Sequence, residues 1–283
     1  MGIELESYSD TTAFSATVSS WLEEREAENA LFLAILAGLT WAPPASIPFM
    51  VRVTRGGETV FAAIYHEFNL ILSHGPDAAI DAVVAKLGSL AVDFPGVLGP
   101  AREAERFALA WAEEQACTAF LAVDQRIYQL TQVRRPAQIP GEMRVILDSD
   151  LEVVAAWAYD FDVEALRHKE RRTRDEARRK IAARLSEGNL FGWESAGELV
   201  CMAGLARPTA KTISVNSVYT PPARRRQGFA TALVAAVSEE GLQRGKDACV
   251  LYTDLTNPTS NSIYQKIGYR PVCDSRNYRF NSL

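Results

Sequence analysis

Short β-rich stretches alternate with amphipathic helical stretches along this chain, and that alternation most constrains its fold. Strand and helix patterns have different periods, so the two kinds of element can be distinguished along the chain. In the second half, strand patterns at 189–193, 199–207 and 212–219 precede a helix, another strand and a short helix. The sequence therefore predicts an α/β (α+β) fold.

The first half follows the same order of elements. Strand patterns at 49–54 and 59–66 flank the turn Arg55-Gly56-Gly57-Glu58, which is typical of a β-hairpin. The other expected elements are helices at 19–37, 77–87, 102–115, 151–157, 163–185, 229–244 and 258–267, and strands at 68–72, 127–133, 248–253, 269–272 and 278–280. A short apolar stretch at 96–99 precedes the helix at 102–115.

The two halves therefore look like two copies of one plan. The repeat is one of element order and not of residues, so coincidence among α/β chains is the alternative. A chain of 283 residues is long enough for two domains. We place their boundary near residue 125, which predicts domains over 1–124 and 125–283.

Charge and hydropathy argue against several classes of function. A net charge of -5 and a sequence pI near 5.4 do not suit a nucleic-acid-binding surface. No apolar run approaches the roughly 20 residues of a membrane span, and the first six residues lack the basic start of a signal peptide. We expect a cytoplasmic protein without nucleic-acid or membrane partners. Its oligomeric state is left open.

The cysteines and histidines show no metal or catalytic signature. The cysteines are widely separated, without CxxC spacing or paired histidines, so we expect reduced, mostly packed thiols and no metal site. The histidines lie outside the motifs described below, and we expect structural roles for them. These residues are Cys117, Cys201, Cys249, Cys273, His66, His74 and His168.

A basic turn at 224–231, Arg-Arg-Arg-Gln-Gly-Phe-Ala-Thr, connects a strand pattern to a helix pattern. The first turn of a helix has amides without internal partners and the positive end of the helix dipole, so it attracts anions. Gly228 and Ala230 let phosphate oxygens approach these amides, and Arg225 and Arg226 add charge-assisted donors. A solvated basic turn is the structural alternative. The Walker and GxGxxG patterns are absent.

A second motif lies at 257–269. Asn257 is a candidate helix N-cap, Pro258 suits the first helical position, and Gly268 follows the expected helix end. Asn257, Ser260, Asn261 and Tyr264 are spaced to project toward one cleft. The structural alternative is that Asn257 only caps the helix and Tyr264 only packs.

Together the two segments resemble motifs A and B of the GNAT N-acetyltransferase superfamily. Motif A, Q/R-x-x-G-x-G/A, is matched by Arg225, Gly228 and Ala230. Motif B, N-x-x-A-x-x-x-Y-x-x-x-G-F, is matched with Ser260 for the alanine and Tyr269 for the phenylalanine. The resemblance covers about residues 125 to 283.

The resemblance to the family implies a particular fold. It implies two GNAT-like domains, each with a mixed, mainly antiparallel sheet flanked by helices. The corresponding strand-to-helix junction of the first half, at 72–77, has no arginine and no Gly-x-Gly/Ala. The first domain would therefore be a degenerate copy without this phosphate site.

The resemblance also implies an activity, the transfer of an acetyl group from acetyl-CoA to a primary amine by direct attack, without a metal. In the family, motif A binds the CoA pyrophosphate and a main-chain amide of the preceding strand polarises the thioester carbonyl. The motif B tyrosine, here Tyr264, protonates the departing thiolate. The implied CoA contacts are Val218, Tyr219, Thr220, Arg225, Arg226, Gln227, Gly228, Phe229, Ala230, Thr231, Asn257, Ser260, Asn261 and Tyr264.

The sequence does not identify the general base or the acceptor. Family members often carry a glutamate on the strand before motif A, but 212–220 contains no Asp or Glu. Asp254 is a candidate, although a turn explains it better. The charged segment 167–180 reads as a solvated helix that could border the acceptor site. The acceptor is a small-molecule or peptide amine, and the alternative function is a non-catalytic CoA-binding or protein-interaction module.

Overall fold

The computed structural model describes residues 2–41, 49–66, 69–90, 94–165 and 171–282. The predictions for Phe68, for His168 and for part of the charged segment 167–180 lie outside the described residues. The chain divides into two compact units, 1–128 with 252–257 and 271–283, and 129–251 with 258–270. The domain boundary near residue 125 stays a prediction.

The first unit is built on a sheet in which neighbouring strands follow the order β1-β2-β3-β4-β5-β12-β6. Strands β4 and β5 are parallel, whereas β1/β2, β2/β3, β3/β4 and β5/β12 are antiparallel. Its elements are β1 (Ile3–Tyr8), α1 (Thr11–Glu23), α2 (Glu26–Trp41), β2 (Met50–Arg55), β3 (Glu58–His66), β4 (Asn69–Leu72), α3 (Asp77–Leu90), β5 (Gly96–Pro100), α4 (Ala101–Glu114), and most of β6 (Cys117–Leu130) and β12 (Arg270–Ser282).

The predicted hairpin is present as β2 and β3, joined by Gly56 and Gly57. Both glycines have positive φ, 61° and 85°. A two-residue turn with positive φ at both positions matches the twist of its strands, and glycine adopts it at little cost.

Both faces of this first sheet are buried. Alternate residues of β2 and β3 pack on opposite sides: Val51, Val53 and Ala63 with α3 and α4, and Met50 and Ala62 with α1 and α2. A sheet covered on both faces needs strands that are apolar throughout, which explains the weak alternation in these two strands.

Several boundaries differ from the sequence predictions. The helix expected at 19–37 is two helices, and the first begins at Thr11, where the Asp10 carboxylate accepts from the Ala13 amide at 2.6 Å. Strand β6 starts at Cys117 instead of residue 127, and β12 is one strand where two were expected. Strand β1 was not anticipated.

The second unit has neighbouring strands in the order β11-β10-β9-β8-β7. Strands β10 and β11 are parallel, and the other pairs are antiparallel. Its elements are β7 (Glu142–Val145), α5 (Leu151–Ala165), α6 (Arg174–Leu185), β8 (Leu190–Ser195), β9 (Glu198–Ala206), β10 (Thr212–Tyr219), α7 (Phe229–Gln243), the first residues of β11 (Ala248–Asp254), and α8 (Pro258–Lys266).

Helices α5 and α6 pack on this second sheet through a core that includes Val154, Ile181 and Met202. Thr173 and Glu176 form a capping box at the start of α6, which satisfies two backbone amides. Within the described residues, no helix has both the length and the apolar character that crossing a membrane requires.

Candidate active site

A bulge interrupts β10 shortly before the basic turn. Asn216 lies opposite Gly204 and Tyr219 opposite Met202, so β10 has one residue more than β9 between these pairs. Ser217, within the bulge, has a φ of 52°. A bulge leaves one residue without its partner in the ladder, so it frees a backbone amide at the end of the strand.

Arg184 of α6 holds this bulge in place. Its guanidinium donates to Ser217 Oγ at 2.9 Å and to Asn216 Oδ1 at 3.2 Å. Gly204 makes room for it, because a Cβ there would lie 2.5 Å from an Arg184 nitrogen. Burial lowers the pKa of Arg184, although Glu187 opposes the shift. The bulge is therefore braced by a half-buried cation.

Helix α7 begins without a side-chain cap. Its N-cap residue is Gly228, with φ of 86° and ψ of −5°. The first amides of the helix have no intrahelical acceptor, and α7 lacks the side-chain acceptor that Thr173 supplies to α6. Phe229 is buried, so its backbone amide and not its ring is the group that could face a ligand. This helix start can bind an anion.

Replacing Gly228 by any other residue would strain the backbone and the packing around it. Its left-handed conformation disfavours any side chain, and an added Cβ would lie 2.8 Å from Ile139 Cδ1. Ile139, in the loop before β7, therefore packs directly over the glycine.

The predicted basic donors have different surroundings. Arg225 donates to both carboxylate oxygens of Glu164 in α5 at 2.7 Å and to the Thr220 carbonyl at 2.8 Å. Its guanidinium also lies 5.7 Å from the centre of the Tyr219 ring. Arg226 is exposed and has a φ of 62°. Arg225 is thus engaged by a carboxylate, whereas Arg226 projects into solvent.

Tyr264 of α8 is buried, and its ring meets that of Tyr269 edge-on with 6.0 Å between centres. Burial raises the pKa of Tyr264 to about 12, and a hydrogen bond with Ser260 acts in the opposite direction. The phenol therefore stays protonated at neutral pH. Tyr269 Oη lies 2.9 Å from Ser238 Oγ of α7, which links the end of α8 to α7.

Asp254 and Asn257 form a turn before α8. The Asp254 carboxylate lies 2.7 Å from the Thr256 amide and 2.6 Å from the Thr256 hydroxyl, and the Asn257 amide donates to the Asp254 carbonyl at 3.1 Å. These contacts support the turn interpretation of Asp254. Asn257 belongs to the first compact unit, whereas Ser260, Asn261 and Tyr264 belong to the second.

The segment that contains these features matches the sequence model of the acetyltransferase (GNAT) family over residues 152–269. Residues 152–269 form a GNAT-family domain. No curated protein matches the sequence.

Solved structures extend the similarity to nearly the whole chain. An acetyltransferase of the GNAT family from Colwellia psychrerythraea has 11% identity and a TM-score of 0.60, covering 99% of this chain and 100% of its own. A GCN5-related N-acetyltransferase from Sphaerobacter thermophilus has 15% identity and a TM-score of 0.63, with 98% and 95% covered. A tandem GNAT protein from the clavulanic acid biosynthesis pathway has 12% identity and a TM-score of 0.54, with 99% and 98% covered. The predicted fold class of two GNAT-like copies is confirmed.

In the second unit, the structure places residues 218–220 and 225–231 along the end of β10 and the start of α7, and Ser260, Asn261 and Tyr264 on α8. Sequence reasoning missed Arg184, Glu164 and Ile139, which contact the bulge, Arg225 and Gly228 of the GNAT domain. Their positions depend on tertiary packing, and no local pattern marks them. The β10 bulge likewise has no signal in its sequence.

Proposed function

We propose that the GNAT domain transfers an acetyl group from acetyl-CoA to a primary amine by direct attack. The observation that carries this proposal is the start of α7, where a left-handed glycine and an uncapped first turn follow a basic segment. Backbone amides and the positive end of a helix dipole are well suited to a pyrophosphate. Arg226 adds a charge-assisted donor at the rim.

The bulge in β10 supports the next step. When the amine nitrogen attacks the thioester carbonyl, negative charge develops on the carbonyl oxygen. A backbone amide released at Ser217 or Val218 would stabilise that charge. Because Arg184 fixes the bulge, the donor is oriented before the substrate arrives.

Tyr264 supports the final step. Collapse of the tetrahedral intermediate breaks the carbon–sulfur bond and leaves a thiolate that needs a proton. The Tyr264 phenol is protonated at neutral pH and can donate that proton, although burial, which raises its pKa to about 12, makes it a weaker acid than an exposed tyrosine. Ser260 and Asn261 on the same helix would contact the pantetheine arm.

Two carboxylates that could act as the general base are engaged by other groups. Glu164 binds Arg225, and Asp254 closes a turn with Thr256. We therefore propose that water carries away the amine proton. The acceptor is a small-molecule or peptide amine.

A turnover assay tests this function. The purified protein is incubated with acetyl-CoA and a panel of small amines and lysine peptides, and free CoA thiol and acetylated products are measured. We expect acceptor-dependent thiol release that disappears when either substrate is omitted. Tight CoA binding without thiol release across the panel, with no effect of Tyr264→Phe, would favour the non-catalytic CoA-binding module.

A further inference from the structure

A cluster of potential metal ligands lies in the first compact unit and includes no residue of the two acetyltransferase motifs. One ligand atom each of Glu28, His74 and Cys273 lies within 4.8 Å of the other two. Glu28 lies in the first turns of α2, His74 between β4 and α3, and Cys273 on β12. We propose that these three side chains form a zinc site.

Glu28 and His74 face each other within this cluster. Glu28 Oε2 and His74 Nε2 are buried atoms 2.7 Å apart, at ion-pair distance but without hydrogen-bond geometry, and Arg25 Nη1 lies 3.6 Å from the same Glu28 oxygen. Buried polar atoms that lack a well-formed hydrogen bond are costly. A metal cation bound by both atoms would satisfy both lone pairs at once.

The second ring nitrogen of His74 has the partner that a metal-bound histidine needs. His74 Nδ1 lies 3.4 Å from Oε1 of Glu103, a residue of α4 that is only 3% exposed. A carboxylate at Nδ1 fixes the tautomer in which Nε2 carries the lone pair, as in carboxylate–histidine–zinc arrangements. Glu103 is therefore a positioning residue for the proposed site.

The backbone around His74 is also held firmly. The Ser73 hydroxyl accepts from the Ala62 amide at 2.9 Å and donates to the His74 carbonyl at 3.0 Å. The Gly75 amide donates to Glu103 Oε1 at 3.4 Å. Because the segment is tied to β3 and α4, the imidazole is oriented before an ion binds.

The ligand set selects the metal. Thiolate, imidazole and carboxylate together suit Zn²⁺, whereas Mg²⁺ and Ca²⁺ prefer oxygen ligands. Zinc bonds of ~2.0–2.3 Å place tetrahedral ligand atoms about 3.3–3.8 Å apart. The Glu28 and His74 ligand atoms, now 2.7 Å apart, would therefore have to separate by about 0.6 Å or more when an ion binds. Three protein ligands leave the fourth position for water.

Cys273 would bind as a thiolate. A coordinating metal displaces the proton of a cysteine thiol outright. The sequence argued against a metal because these ligands are far apart along the chain, and only the fold brings residues 28, 74 and 273 together.

Metal titration of the untagged, full-length protein tests the site. After dialysis against a chelator, we expect one equivalent of Zn²⁺ to bind and raise the melting temperature. Co²⁺ should give tetrahedral visible bands and a thiolate-to-cobalt charge-transfer band in the ultraviolet. The measurement needs no acetyl-CoA, so it is independent of the proposed acetyl transfer. A Co²⁺ spectrum without a thiolate band would overturn the proposal.

Variants locate the ion. Cys273→Ser should abolish the charge-transfer band, whereas Cys117→Ser, at a half-buried cysteine outside the cluster, should retain it. Glu103→Gln should keep the band but weaken the affinity by roughly 10- to 100-fold, the usual effect of losing such a carboxylate. If both cysteine variants bind Co²⁺ as the unmodified protein does, the ion lies elsewhere and the proposal is wrong. Melting curves confirm that each variant is folded.

Discussion

Each GNAT-like copy has a parallel strand pair, β4/β5 in the first and β10/β11 in the second. The order of helices and strands around these pairs is the same. The copies differ in the segment that connects the first strand of the pair to the following helix. In the first copy, four residues at 73–76 connect β4 to α3, and in the second, nine residues at 220–228 connect β10 to α7. The longer junction carries three arginines, whereas the shorter carries a histidine between serine and glycine. The two copies therefore differ more in the length and charge of this junction than in the order of their helices and strands.

The first junction is filled by protein. A Cβ on Gly75 would lie 2.5 Å from the Phe61 ring and 2.9 Å from the Val60 carbonyl oxygen. Asp77 occupies the first turn of α3 and is bound by Arg102, so negative charge already lies at this helix start. The second junction has positive charge and an uncapped helix start instead. The two proposed sites therefore differ in their ligand chemistry.

The largest effect that would distinguish a catalytic second copy from the first is expected from Tyr264→Phe. If Tyr264 is the acid, kcat should fall by roughly 10²- to 10⁴-fold while CoA affinity is unchanged, because only proton donation is lost. A tyrosine acts as an acid below its pKa, and burial raises this one to about 12, so the rate should not decline through pH 10 on its account.

Tyr269→Phe is the matched control. It removes only the hydrogen bond with Ser238, which should cost about 1 kcal/mol of stability and leave kcat unchanged. Equal kcat losses in the two variants would show that Tyr264 only packs.

A smaller effect is expected from Gly228→Asp. A carboxylate at the start of α7 should weaken CoA binding by roughly 10- to 100-fold, since hydrogen bonds to a charged pyrophosphate contribute ~1.5–3 kcal/mol. Calorimetry measures the affinity. Gly197→Asp has a similar positive φ of 79° with open space around it, and it should bind CoA normally. If both variants bind CoA normally, the junction at 220–228 is not the pyrophosphate site, and the proposed difference between the two junctions is wrong.

Arg225 and Arg226 should contribute unequally to CoA binding. Arg226→Ala should weaken CoA binding by about tenfold, because an exposed charge-assisted donor is lost. The double variant Arg225→Gln with Glu164→Gln removes an existing ion pair without changing the net charge, and it should have a smaller effect. A larger loss in the double variant would mean that Arg225 leaves Glu164 to bind the pyrophosphate.

The smallest effect concerns the first junction and should appear only in stability. Gly75→Ala should lower the unfolding free energy by about 1–3 kcal/mol, because a methyl group enters a filled space. Gly38→Ala, at an open helical position in α2, should raise it by up to ~1 kcal/mol. Neither should alter CoA affinity. A Gly75→Ala protein that loses CoA binding would assign a CoA role to the first copy.

Local chemistry explains what the sequence predicted well. The Gly56-Gly57 turn, the start of α7 at Gly228 and the helix between Asn257 and Gly268 all depend on neighbouring residues. Strand β7 was missed because it is short and half-exposed, and Arg144 supports it through Asp150 and Glu194. The split between α1 and α2 was missed because neither glycine nor proline marks it, and the residues there, Glu24 and Arg25, are good helix formers.

The candidate site divides in the same way. Motif spacing predicts roles for the residues around the turn and for Tyr264, and these roles stay predictions. Partners that arrive from other elements, such as Glu164 at Arg225 and Arg184 at the bulge, leave no trace in local spacing. The meeting of Glu28, His74 and Cys273 belongs to this second class.

Strand β12 gives the molecule an unusual order of assembly. It lies between β5 and β6 in the first unit, although its residues follow the whole second unit in the chain. During synthesis, the ribosome must therefore deliver residues up to about 282 before the first sheet can close. Until then β5 and β6 expose unpaired edges, which invite aggregation. The first unit therefore cannot complete its sheet as soon as its own N-terminal residues are synthesised. It can do so only after the residues of the second unit have also been synthesised.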